Sequence, residues 1–78
     1  MKYNVEKITS TGTIYLVIHP LGREELLDEQ ALINNADCFA YTAGCEEVTN
    51  IQEAIMYMKE IGCDVYKLSN IKVEHLTR

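Results

Sequence analysis

The phase of the apolar residues changes several times along this 78-residue chain, and each change marks an expected element. From Thr13 to His19 the residues are β-branched, aromatic or apolar almost throughout, which predicts a central strand covered on both faces. Upstream, residues 2–9 place Tyr3 and Val5 in phase and then slip at Ile8, and Ser10-Thr11-Gly12 is a turn signal. These two segments read as an N-terminal hairpin.

Pro20 ends the central strand. Residues 23–35 carry acids in what would be a first turn and read as a weaker helix, although Leu26-Leu27 and Ala31-Leu32-Ile33 make no clean stripe. Residues 38–43 resemble a short inner strand closed by Gly44.

The best helix covers residues 50–61. Thr49 or Asn50 can cap it, Gln52 or Glu53 can complete a capping box, and Gly62 suits the position after its end. Ile51, Ala54, Ile55, Met58 and Ile61 recur at the spacing of one buried face. Residues 64–68 and 71–76, joined by Ser69-Asn70, then alternate strictly and predict a C-terminal hairpin.

The sum is a single small α+β domain over residues 1–78: an antiparallel-rich sheet built from two terminal hairpins and an inner strand, packed by the helix of 50–61 and the weaker one of 23–35. The expected core is Ile14, Leu16, Ile18, Ile51, Ile55, Met58, Ile61, Val65, Ile71 and Val73.

Charge changes the picture by its placement. Residues 24–64 hold ten acids against one base, Lys59, whereas the remainder holds two acids and six bases, so a net −9 middle is flanked by +4. An acidic middle is unsuited to direct nucleic-acid binding, which depends on Lys and Arg at phosphates. Either it is a solvated face or it docks on a basic partner. Glu24, Glu25, Asp28, Glu29, Glu46 and Glu47 are the carboxylates offered for such docking. Tyr57, off the main stripe of its helix, is the aromatic anchor.

Candidate chemistry is sparse. Cys38, Cys45 and Cys63 are an odd number of cysteines without a Cys-x2–4-Cys knuckle, so with His19 and His75 they predict neither a disulfide framework nor a metal site. Cys45, in an expected loop, is followed by Glu46 and Glu47, whose charge disfavours a thiolate unless a histidine comes close. Ser10 and Ser69 are in turn signals rather than a nucleophile elbow, and four scattered glycines form no phosphate loop. No cofactor and no membrane are implied. The N-terminal residues lack the apolar core of a secretory signal, and the expected location is cytoplasmic.

The reading is a small acidic, non-enzymatic protein-binding module, an inhibitor or nucleic-acid-mimicking adaptor, that docks its acidic middle on a basic partner surface. The alternative is a homodimer that binds a small ligand or regulates, assembled through an edge strand such as residues 2–9 or 71–76.

Overall fold

The computed structural model describes residues 13–69 and 72–78. Four strands, β1 (Ile14–Ile18), β2 (Glu24–Asp28), β3 (Asp64–Leu68) and β4 (Val73–His75), form one antiparallel sheet in the order β2-β1-β3-β4. Between β2 and β3 the chain makes two helices, α1 (Glu29–Thr42) and α2 (Ile51–Glu60). This is the expected α+β class, with β1 at the centre of the sheet.

The hairpin containing β1 runs forward rather than backward in sequence. Its partner is β2, in the register Ile14↔Asp28 to Ile18↔Glu24, across a tight turn in which the Gly22 N–H donates to the His19 carbonyl at 2.8 Å. Gly22 has φ +95°, a conformation that other residues adopt only at a cost. The expected strand at residues 2–9 lies outside the described residues.

Residues 24–28 form a strand, not the opening of the weaker helix that their composition predicts. Glu and Leu favour helix only by tenths of a kcal/mol, roughly, and pairing along the whole of β1 outweighs that. The helix starts after them because the Asp28 carboxylate caps it, accepting the Ala31 N–H at 2.8 Å. It continues to Thr42, so the expected inner strand at 38–43 is instead its last turns. The signal hidden in the sequence is a stripe dominated by alanine: Leu32, Ala36 and Ala40, at i, i+4 and i+8, are fully buried. Small side chains let α1 approach its neighbours closely.

The capping box at 49–53 forms as the spacing suggests. Asn50 accepts the Glu53 N–H at 2.9 Å, and Glu53 Oε1 accepts from the Thr49 N–H at 2.9 Å and the Thr49 hydroxyl at 3.1 Å. Gly62, at φ +91°, terminates α2, and Cys63 N–H bonds back to the Met58 carbonyl.

The helices cover the sheet face that carries Tyr15, Val17 and Val65, and the core combines these with Leu32, Ala36, Ala40, Val48, Ala54, Met58 and Cys63. The core expected from β1 is therefore on the wrong face. Ile14, Leu16 and Ile18 alternate away from the helices and are half-buried. On α2, Ala54 and Met58 are the fully buried pair, Ile51 and Ile55 flank them, and Ile61, just past the helix, is 37% exposed. Val65 is buried as expected, whereas Val73 on the edge strand is 65% exposed and Ile71 lies outside the described residues. Among the described residues, no helix is long and apolar enough to cross a membrane.

Candidate functional site

The connection between α1 and α2 is short and fixed at three points. Gly44 takes φ +76°, which turns the chain so that Cys45 N–H reaches the Ala40 carbonyl at 2.8 Å. Val48 is buried between the helices, and its N–H donates to Asp37 Oδ1 at 2.9 Å. The residues between these anchors, Glu46 and Glu47, are consequently held outward.

They rim a groove of about 250 Å3 whose other side is α2, through Glu53, Met56, Tyr57 and Glu60, with Cys45 and Val48 also lining it. A second cavity of about 190 Å3, lined by Asp37, Tyr41, Cys45 and Glu47, adjoins across the two shared residues. Its Tyr41 is 84% exposed.

Of the groove carboxylates, Glu53 is committed to the helix cap, and its bonds from the backbone and hydroxyl of Thr49 hold its pKa below the ordinary carboxylate value. Glu46, Glu47 and Glu60 take part in no ion pair among the described residues. Burial pushes the Tyr57 phenol up, and the adjacent Cys45 sulfur and the Glu60 carboxylate push it the same way. Tyr57 therefore stays a neutral hydroxyl through the physiological range.

The candidate docking residues thus separate into two groups. Glu46, Glu47 and Tyr57 come together in the groove. Glu24, Glu25, Asp28 and Glu29 belong to β2 and the start of α1, where Asp28 caps α1 and Glu25 bonds His19. Glu53, Met56 and Glu60 join the groove without having stood out as candidates, although with Tyr57 they lie at i, i+3, i+4 and i+7 on one helical face, a spacing readable in the sequence.

A second cluster arises from sheet register. Ile18 pairs with both Glu24 and Asp64, so His19, the next residue on β1, stands beside Cys63 and diagonally from Glu25, which pairs with Val17, all on the helix-covered face. His19 Nε2 lies 2.6 Å from Glu25 Oε1, and His19 Nδ1 lies 3.5 Å from Cys63 Sγ. With the Nε2 proton on the carboxylate side, Nδ1 is the acceptor for the thiol. Arg23 then pairs with Glu25, at 3.4 Å.

The cysteine that gains a histidine is thus Cys63, through His19, and not Cys45. Thiol, imidazole and carboxylate stand in the order of a nucleophilic triad, yet Cys63 is only 3% exposed. Burial foremost, then the charges of Asp64 and Glu25, push its thiol up, against a smaller opposing effect of Arg23. Cys63 is a neutral, hydrogen-bonded core thiol. The other histidine, His75, stacks on Tyr66 with centroids 4.4 Å apart and lies 3.1 Å from Asp64. Among the described residues, no three His, Cys, Asp or Glu side chains are grouped to hold a metal ion.

No family model, curated protein or solved structure matches the chain.

Proposed function

We propose that this protein is a non-enzymatic binding module that docks a basic partner protein in the groove between the 45–48 connection and α2. The observation that carries this reading is the convergence of Glu46, Glu47 and Glu60 on an apolar floor of Tyr57, Met56 and Val48, without a cation paired to any of the three among the described residues. Like charges gathered without counter-charge oppose folding, and a basic partner relieves that cost on binding. A protein that occupies a basic surface in this way acts as an inhibitor or adaptor of proteins that themselves bind polyanions.

The test is affinity capture with three forms of the protein: wild type, the triple variant Glu46→Lys/Glu47→Lys/Glu60→Lys, and a control reversing Glu24 and Glu29. The expected partner is retained at low salt, released as ionic strength rises, lost by the triple variant and kept by the control. Partners bound equally by all three forms would remove the basis for this reading.

The edge-strand homodimer has one observation in its favour: β4 is an edge of the sheet among the described residues, with Val73 exposed. Light scattering at low and high salt separates the two, because an apolar interface persists where acidic docking weakens.

A further inference from the structure

If the protein is a binding module, the groove's dimensions and the charge of its lining narrow the chemistry of the occupant beyond "basic". We propose that the groove receives an arginine side chain presented by an extended segment of the partner, its guanidinium bridging the carboxylates of Glu46, Glu47 and Glu60 beside the Tyr57 ring and its methylenes covering Met56.

Three observations favour that occupant. The first is volume: about 250 Å3 falls below the roughly 300–1,000 Å3 of small-molecule sites and suits one long side chain. The second is charge. Glu46, Glu47 and Glu60 line one groove with no cation paired to any of them among the described residues, and a planar fork of five donors can meet more than one carboxylate where an ammonium offers a single point charge.

The third is the lining itself. Tyr57 and the exposed Met56 offer aromatic and thioether surface, which a weakly hydrated guanidinium covers at less desolvation cost than an ammonium does. The adjoining cavity beside Tyr41 continues the groove across Cys45 and Glu47, which gives an extended segment a path and makes an isolated side chain an incomplete ligand.

The experiment is a titration of the full chain followed by amide 1H–15N NMR at low salt, with three capped pentapeptides that differ only in a central arginine, lysine or citrulline. The arginine peptide is expected to shift the amides of residues 45–48 and 56–60 and to bind at least fivefold more tightly than the other two. Glu47→Gln/Glu60→Gln is expected to weaken it at least fivefold, and Tyr57→Leu about threefold. The spectra themselves report whether each variant is folded.

Shifts spread equally over residues 24–29, equal binding of citrulline or lysine, or no shift at all would overturn the proposal. If the arginine peptide fails while the triple charge reversal still abolishes partner capture, the occupant is wrong and the binding module stands. If both fail, neither stands.

Discussion

The Asp37 carboxylate, on a half-buried flank of α1, accepts the backbone N–H of Val48 at 2.9 Å, eleven residues further along the chain. That one bond joins the first helix to the connection carrying Glu46 and Glu47. It sets where the groove's rim stands relative to α2. Asp37→Ala leaves a buried residue's N–H without its partner and should cost about 1–3 kcal/mol. Asp37→Asn keeps the accepting oxygen and should recover most of it. Urea midpoints, with amide exchange at Val48 as the local reading, check both.

The α2 face is tested by two residues three apart. Met58 is fully buried, and Met58→Ala should cost about 2–5 kcal/mol. Ile61, which the periodicity also places in the core, is 37% exposed, and Ile61→Lys should stay within about 1 kcal/mol of wild type because its ammonium reaches water. Chemical denaturation of the two variants decides the orientation of the helix; a reversed order of cost would mean the helix is rotated.

Two glycines with similar backbone angles should respond differently to alanine. Gly44 at φ +76° has nothing within 4 Å of an added Cβ, so Gly44→Ala carries only the backbone cost of about 1 kcal/mol. At Gly62, φ +91°, the added carbon would sit 3.2 Å from Pro20 Cγ, in the turn that leads to the His19 cluster. Gly62→Ala should therefore be the more destabilising of the pair, and it should speed alkylation of Cys63. Mass spectrometry of alkylated peptides gives the second measurement, with exposed Cys38 and Cys45 reacting first in wild type.

Acid sensitivity should include a contribution from the α2 cap. Glu53 is held below its ordinary value by its bonds from Thr49, so it binds a proton more readily unfolded than folded. The resulting stability is present above the unfolded carboxylate value of 4.5 and is lost as pH falls through the lower folded one. Glu53→Gln should be less stable than wild type at pH 7, with the gap closing as pH falls below 4.5 toward 2. Denaturation midpoints across that range give the result.

The sequence by itself determined what depends on neighbours a few residues away. The capping box at Thr49, Asn50 and Glu53, the stop at Gly62 and the end of the central strand at Pro20 were legible because each is closed by local bonds. By contrast, the strict alternation expected of residues 64–68 gives way to burial of both Val65 and Leu68, three apart and so on opposite faces. The charge segregation was legible for the same reason, being a property of the chain rather than of its fold. Only tertiary structure decided that residues 24–28 extend along β1 instead of coiling, because strand pairing with a segment ten residues earlier outweighs a weak helical preference. It also decided which face of β1 is core, since alternating apolar residues on both faces of Ile14–Ile18 leave the choice to whichever side the helices occupy. The groove was half legible: Tyr57, Glu46 and Glu47 stood out, while Met56 and Glu60 gained meaning once the Asp37–Val48 bond set the connection against α2. The pairing of His19 with Cys63, separated by 44 positions, was not legible at all, because it exists only through the register of β1 with β2 and β3.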